Sequence, residues 1–489
     1  MTGPTLMGPM VTHVDAPRLT LGFDRFERLD LDRHRAVHGR LYEPRLSKLM
    51  AMADRVDLRG RGGAAFPFAR KLRAVGRHVT AGGGIAVVVN AAEGEPGSSK
   101  DHVLLTRAPH LVLDGAVIAA HALESREIII AVAGKGPAQR SIRAAIAERK
   151  LPVRLVELEE RFISGESGAV VRAVNGEPAV PPGRKVRTAD FGVGGRPTLL
   201  SNTETFAQLA VLTSLGVDLY AGVGTRAEPG TVLMTVGGST VVETPTGTPL
   251  GTVLERCGTT PGQGVLVGGY HGGWLSPETA KHVPVSRAGL TAAGGTLGAG
   301  IVLPLSPGTC PLGEVTRITT YLAAESAGQC GPCRLGLPDV VRALNALADG
   351  SGGPEGVRRA ASIGRGRGAC SHPDGTARFA LSAIEVFEQD LLVHEVRGGC
   401  GQPVRGFLPL PMVEGGDSRL AVDWTRCDGH GLCAHLVPEM IRLDRNGYPI
   451  VLDTAIPAWV EGNARRAVSM CPALALRLMT PNARTDRKN

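Results

Sequence analysis

Aromatic residues are scarce: 3 Trp, 5 Tyr and 10 Phe make up 4% of the 489 residues. The basic residues are dispersed arginines, without a long run or interleaved aromatics, so the formal charge of +8 does not read as a nucleic-acid footprint. It favours acidic partners at most. Long apolar runs are missing too. The most apolar stretch, Leu111–Leu123, is broken by Asp114 and is too short to span a bilayer. The opening residues, MTGPTLMGPM, show neither a charged n-region nor an apolar h-region, so no secretory signal is expected. A disulfide framework is absent: nine cysteines, an odd number, fall late in the chain at 257, 310, 330, 333, 370, 400, 427, 433 and 471. There are no tandem repeats. The expectation is a soluble protein of the reducing cytoplasm, without membrane insertion.

What is abundant is glycine, 66 residues, and apolar residues, 43%. The first implies tight turns and close backbone approaches to ligands, the second several sizeable cores. Residues 1–45 are Arg/Asp-rich with little periodicity and read as an irregular lead-in. Leu58–Leu72 is a glycine-rich loop running into a short helix. Strand signals at Ile85–Asn90, Glu127–Ala133 and Val153–Leu158 alternate with helical patterns over Asp101–Leu123 and Ala138–Arg149, which argues for a parallel α/β sheet. Phe162–Gly195 reads as loop, and Ser201-Asn202-Thr203-Glu204 as a capping box opening a helix to about Leu215. The expected domains are an α/β unit over 46–225, a β-rich unit over 228–305, a helical unit over 308–400, a C-terminal α+β module over 415–480 and a tail over 481–489. Within the helical unit, helices are expected over Pro311–Ala327, Pro338–Ala348 and Thr376–Glu395, with Gly350–Gly368 a flexible linker.

Two cysteine patterns carry chemistry. The C-terminal one is Cys427-Asp-Gly-His430-Gly-Leu-Cys433 with Cys471-Pro472, two thiols in a glycine loop and a third at a distance. Such a loop suits an iron–sulfur cluster, because its glycines let backbone amides approach the sulfides; the spacing lacks the paired cysteines usual for zinc. With VDWTRCDGHGLCAHLVPEMIRLDRNGYPIV before it and ARRAVSMCP around Cys471, the module resembles actinobacterial single-cluster ferredoxins that feed haem-thiolate monooxygenases. That resemblance implies a 3Fe–4S cluster on Cys427, Cys433 and Cys471, with His430 a neighbour or a fourth ligand. Seven Arg against six Asp/Glu over Arg419–Leu478 leave the module almost neutral, unlike the usual acidic ferredoxin.

The central pattern is ESAGQCGPCR, Glu325–Arg334, followed by Cys370. Upstream stand Gly60-Arg61-Gly62-Gly63-Ala-Ala-Phe66-Pro with Lys71, then Asn90-Ala-Ala-Glu93-Gly-Glu95-Pro-Gly with Lys100-Asp101, Ile163-Ser-Gly-Glu166, Pro197-Thr198 and Asn202-Thr-Glu204-Thr205. In this order, from about residue 55 to 395, the chain resembles the flavin-carrying, NADH-oxidising subunit of bacterial respiratory complex I. The resemblance implies FMN. Gly60, Gly62 and Gly63 would turn amides to its phosphate, with Arg61 or Lys71 neutralising charge. Asn90 and Asn202 would bond the ring or ribitol, Glu93, Glu95 and Glu166 would face sugar hydroxyls or nucleotide, and Phe66 would stack on a base. It further implies NADH or NADPH as donor, a β-grasp-like fold for 228–305, and a 4Fe–4S or 3Fe–4S cluster on Cys330, Cys333 and Cys370.

The pattern departs from the family at Ala92 and Ser167, where acidic residues are usual, near Arg73–Ala74, where a second aromatic is, and at Ala327, where the first cluster cysteine is. Cys310 does not replace that cysteine, since a helix of roughly 24 Å separates them; His372 as substitute, a three-iron cluster, or a structural CxxC without a cluster are the open alternatives. Cys257 and Cys310 read as buried thiols, and Cys400 has no role. The implied activity is electron transfer from NAD(P)H through FMN and clusters to the fused ferredoxin, then to an acceptor protein such as a haem-thiolate monooxygenase. The alternatives are a carrier or scaffold in which only the ferredoxin is active, or a subunit of a larger dehydrogenase.

Overall fold

The computed structural model describes residues 8–79, 84–183, 186–411, 418–452, 454, 456 and 458–479. Gly82–Gly83, Gly415–Gly416, the first residues of the lead-in and the tail lie outside them. The chain forms two units, Met1–Pro409 and Leu410–Asn489.

At the heart of the first unit, four parallel strands run in the order Val153–Leu158, Glu127–Ala133, Ala86–Ala91, Thr198–Asn202. The apolar run of the third of these is buried on both faces: Val87 and Val89 enter one core, Ala86 and Val88 the other. That is the pattern of a parallel strand with helices on both sides. The expected single helix over Asp101–Leu123 is two, Lys100–Arg107 and Pro109–Ala122. Pro109 has no N–H to continue the ladder and turns Ala108 away from helical geometry. The helix after Thr198–Asn202 is Thr203–Ala221, and its cap is Asn202, whose side chain accepts from the Glu204 N–H. Gly115 crosses this helix so closely that a Cβ would overlap the backbone of Phe206. Gly115→Ala is therefore expected to lower the unfolding free energy by about 1–3 kcal/mol, read as an earlier midpoint in urea.

The β-rich unit is a mixed six-stranded sheet, in the order Met10–His13, Thr240–Pro245, Thr231–Val236, Ile301–Pro304, Val265–Val267, Gly273–Leu275. Its first strand comes from the lead-in, which is thus not irregular throughout. Met10–His13 pairs in parallel with Thr240–Pro245, and the buried Glu243 carboxylate accepts from the amides of Arg18, Leu19 and Thr20. An edge strand of four residues has too little periodicity to be seen in sequence.

Five helices follow: Pro311–Ala324, Leu337–Ala348, Pro354–Ile363, His372–Val386 and Glu388–Arg397. The Gly/Arg linker contains the third, whose Val357 and Ala361 are buried four residues apart. Between the first two lies a π-helical turn, Pro332–Gly336. Phe162–Gly195 likewise holds a helix, Ser167–Val174.

In the second unit, Arg419–Val422 pairs antiparallel with Leu476–Met479, and Ile441–Leu443 with Pro449–Val451. Leu420, Ile441, Val460, Ala464 and Leu476 share its small core. Among the described residues, no single helix is long and apolar enough to cross a membrane.

Candidate functional site

A cleft of about 730 Å³ opens in the first unit, with walls from the α/β domain, the six-stranded sheet domain and the helical domain. The loop Arg61–Ala64 forms one edge. The amides of Gly62, Gly63 and Ala64 make no hydrogen bond among the described residues, whereas those of Gly60 and Arg61 are taken by the Phe66 carbonyl and the Thr205 hydroxyl. Three successive free N–H groups on a glycine loop form a concavity suited to an anion. Gly63 has φ of 105°, which excludes side chains there, and a Cβ on Gly62 would stand 3.2 Å from that of Asn202. Gly60, Phe66 and Lys71 are not among the lining residues. Gly60 closes the turn, Phe66 is 47% exposed, and Lys71 donates to the Leu200 carbonyl at 2.9 Å, with burial lowering its amine to about 8.

The floor is a buried polar network. Lys100, 2% exposed, binds Asp101 Oδ1 at 2.8 Å, Glu204 Oε2 at 3.1 Å and Asn202 Oδ1 at 3.2 Å. Arg61 turns its guanidinium inward, Nε standing 3.8 Å from Glu204 Oε1 and Nη2 donating to the Thr231 carbonyl. Asn202 also donates to Asp101, and Asn90 spans the Gly165 carbonyl and the Ala92 N–H. Both asparagines line the cleft while holding its loops in place.

The three glutamates line the cleft as well, already engaged. Glu93 accepts from the amides of Asp101 and His102 at the start of helix Lys100–Arg107, and Glu166 from those of Gly168 and Ala169. Glu95 accepts from the Tyr270 N–H, which ties the loop to the six-stranded domain. Burial raises Glu93, with Asp101 adding to it, and raises Glu95 to about 7 despite that N–H. Folded Glu95 thus keeps its proton to about pH 7, while an unfolded glutamate loses it near 4.5. The folded state binds more protons between these values, so stability falls as the pH rises through the window and levels off above it. Glu95→Gln is expected to remove about 3 kcal/mol of that pH-dependent change, read from urea unfolding of the flavin-free chain at the two ends of the window.

Phe162, His271, His372 and Cys370 also line the cleft. Phe162 meets the rings of His271 and His372 edge-on, with centroids 4.8 and 5.6 Å away. His372 Nε2–H donates to the Leu322 carbonyl at 2.7 Å, which leaves Nδ1 to accept from His271 Nε2–H at 3.0 Å. Burial keeps both neutral, His372 falling to about 4 and His271 well below its usual range. With both ring nitrogens committed, His372 has none left to stand in for the ligand missing at Ala327.

Cys330, Cys333 and Cys370 come together from the π-helical turn and the loop before helix His372–Val386. Burial alone would raise Cys330, but N–H groups of Ala369 and Cys333 donate to its sulfur and bring it below the ordinary thiol range. Burial pushes Cys333 up to about 12, helped by Cys330 and Cys370, and raises Cys370, where the Glu166 carboxylate adds to it. Cys370 thus puts the cysteine group at the margin of the cleft. In the second unit Cys433 lies beside Cys427 and Cys471, and the Ala475 N–H donates to Cys471 Sγ at 3.3 Å. Gly429 and Gly431 supply left-handed turns between Cys427 and Cys433, with His430 exposed between them.

Sequence reasoning assigned no site role to Lys100, Asp101, His271 or Thr296. The Lys-Asp pair was visible as a motif. His271 and Thr296 carry no local signal, since only the fold brings their loops to the cleft.

Comparison with known proteins agrees with this layout. Residues 53–211 match the Nuo51 FMN-binding domain, 314–394 the NADH-ubiquinone oxidoreductase-F iron-sulfur binding region, and 420–478 a 4Fe-4S single cluster domain. The F subunit of the NADH-quinone oxidoreductase of Mycobacterium tuberculosis is 30% identical over 371 residues, 70% of this chain and 83% of that protein. Its counterpart in Streptomyces coelicolor is 30% identical over 421 residues, 79% of this chain and 92% of that protein. The fold is also that of a chain in the air-oxidized NAD+-reducing [NiFe]-hydrogenase, with TM-score 0.67 and 23% identity over 79% of this chain and 68% of that one. Identity at this level over most of a relative's length, with cleft and cysteine loop in the same order, places the protein in the family of NADH-quinone oxidoreductase F subunits, with a ferredoxin-type module following that portion.

Proposed function

We propose that the chain takes electrons from NADH or NADPH at a flavin in this cleft and passes them singly through iron–sulfur clusters to its own ferredoxin module. The observation that carries this reading is that the free amides of Gly62, Gly63 and Ala64 and the Cys370 side of the cysteine group line one and the same cleft. The residues fit FMN. The amides suit its phosphate, Asn90 and Asn202 fix the loops around it, and Arg61 offsets the carboxylates beneath. FMN bound there would supply the two-electron/one-electron chemistry, taking up a hydride from reduced nicotinamide and giving up its two electrons one at a time with the proton released to solvent.

The protein's share is positioning. Glu93 and Glu166 hold the loops through helix caps, and Glu95 ties them to the six-stranded unit. We read that unit as β-grasp-like, contributing Gly268, His271, Thr296 and Gly298 to the cleft. Phe66, outside the lining and half exposed, is left to stack on a nucleotide base at the surface. Cys330, Cys333 and Cys370 would hold the central cluster, of 4Fe–4S or 3Fe–4S type, and Cys427, Cys433 and Cys471 a 3Fe–4S cluster, three thiolates suiting three irons. The acceptor would be a redox protein, a haem-thiolate monooxygenase being the candidate that the ferredoxin resemblance offers, and the free thiols fit a cytoplasmic setting.

A second reading has its own observation. Ala92 and Ser167, where relatives of the resemblance carry acidic residues, both line the cleft. A carrier or scaffold in which only the ferredoxin is redox-active would show this, as would a subunit of a larger dehydrogenase whose partners supply the missing residues. Anaerobic titration with NADH and NADPH separates the two. The proposal expects the flavin band to bleach with one of them; a band that neither nucleotide bleaches sinks it.

A further inference from the structure

We propose that Cys310, Asp390, His394 and Cys400 form a structural zinc site, separate from the flavin cleft and from both cluster motifs. The ligand atoms of these four residues all lie within 4.8 Å of one another. Cys310 Sγ is 3.3 Å from His394 Nε2, and Asp390 Oδ2 is 3.6 Å from the same nitrogen. A tetrahedral zinc with two sulfur, one nitrogen and one oxygen ligand sets its ligand atoms about 3.3–3.8 Å apart. The Cys310–His394 and Asp390–His394 separations sit at that spacing, and the other pairs within about an ångström of it.

The chemistry around the four atoms calls for a cation. His394 Nδ1–H donates to the Ala348 carbonyl at 2.8 Å, so Nε2 of the neutral ring carries a lone pair toward Cys310 and Asp390. Asp390 Oδ2 is shielded from solvent and has no hydrogen-bond donor among the described residues. Two acceptors facing each other in a buried space are unfavourable until something positive stands between them. A proton on Nε2 would serve one of them; a divalent ion serves both and takes the two sulfurs as well. Histidine pinned through its far nitrogen to a carbonyl is the usual outer support of a zinc ligand. The Gly313 N–H adds to it by donating to Cys310 Sγ at 3.1 Å. Asp390 and His394 stand four residues apart on one helix face, Cys310 caps the helix Pro311–Ala324, and Cys400 lies in the loop beyond. Two thiolates with nitrogen and oxygen select zinc over harder cations, and four protein ligands leave no open position for catalysis. Binding releases the two thiol protons to solvent.

The site would fasten the end of the first unit. Beyond Cys400 the chain runs back along helix Pro311–Ala324, where Pro403 accepts from the Cys310 N–H and Glu314 accepts from the amides of Gly406 and Phe407. The metal would lock the root of this strap.

The test uses the full chain, purified anaerobically from zinc- and iron-replete cells, with metal analysis and X-ray absorption at the zinc edge, where iron does not interfere. The expected result is about one zinc per chain, with two sulfur neighbours at about 2.3 Å and two lighter ones at about 2.0 Å. Cys400→Ser should lower zinc tenfold or more, or remove one sulfur from its shell, at unchanged iron, whereas Cys257→Ser should change neither. Wild-type protein with less than a tenth of a zinc, a Cys310–Cys400 disulfide, or zinc without sulfur neighbours would overturn the proposal. The wild-type spectrum decides even if Cys400→Ser does not fold.

Discussion

Cys370→Ser is expected to leave reduction of the flavin by pyridine nucleotide intact while cutting electron delivery to the ferredoxin module about a hundredfold or more, since even an outer-shell loss at a metal site can cost that much. The geometry sets this split. Cys370 borders the cleft from the helical domain, while Gly62, Gly63 and Ala64, where the flavin phosphate would rest, line it from the α/β domain. The loop is also fragile as a cluster site. Ala327 offers no ligand, and His372 has both nitrogens engaged by His271 and the Leu322 carbonyl. With three thiols in place of four, removing one leaves two, which do not hold a cluster of the usual thiolate count. Two readouts check it on one sample: flavin bleaching under anaerobic NADH, and reduction of the C-terminal cluster followed by low-temperature EPR. If the ferredoxin is reduced as fast as in the parent, the path does not pass through Cys370.

Lys100→Met should destabilise the first unit by about 3–5 kcal/mol, the cost of breaking a buried ion pair from one side. Burial works against the ammonium, but Asp101, Glu204 and Glu93 outweigh it and hold Lys100 charged above the usual lysine range. Without it, Asp101 and Glu204 are left facing each other and Asn202 loses a donor. Since Asn202 lies under Gly62, the floor of the phosphate loop should loosen too, and flavin should dissociate before global unfolding. Denaturant unfolding followed by circular dichroism, beside flavin fluorescence, measures both. Adding Glu204→Gln should recover part of the loss by removing the uncompensated charge; no recovery would mean that packing, not charge, dominates there.

The parallel strands were legible because a strand buried on both faces is a short continuous apolar run, and three of the four were placed within a residue or two. Helix Pro354–Ile363 was missed because glycines and arginines dominate the stretch Gly350–Gly368 around it, while two apolar residues on one face, Val357 and Ala361, suffice to pack it. Strand Met10–His13 was missed because its partner, Thr240–Pro245, lies more than two hundred residues away. Glu93 and Glu166 show the complementary case: their place at the cleft was read from sequence, but their helix-capping bonds depend on where each following helix starts.

The sequence alone determined the order of the modules, the glycine loop and the two cysteine groups, since these are local patterns whose spacing carries their chemistry. Only the tertiary structure decided what meets what. It set Cys370 beside the cleft and tied His372 to His271. It also joined Cys310 to Asp390, His394 and Cys400 across more than eighty residues. Such long-range meetings follow from how whole helices and sheets pack their apolar faces, and no spacing along the chain encodes them.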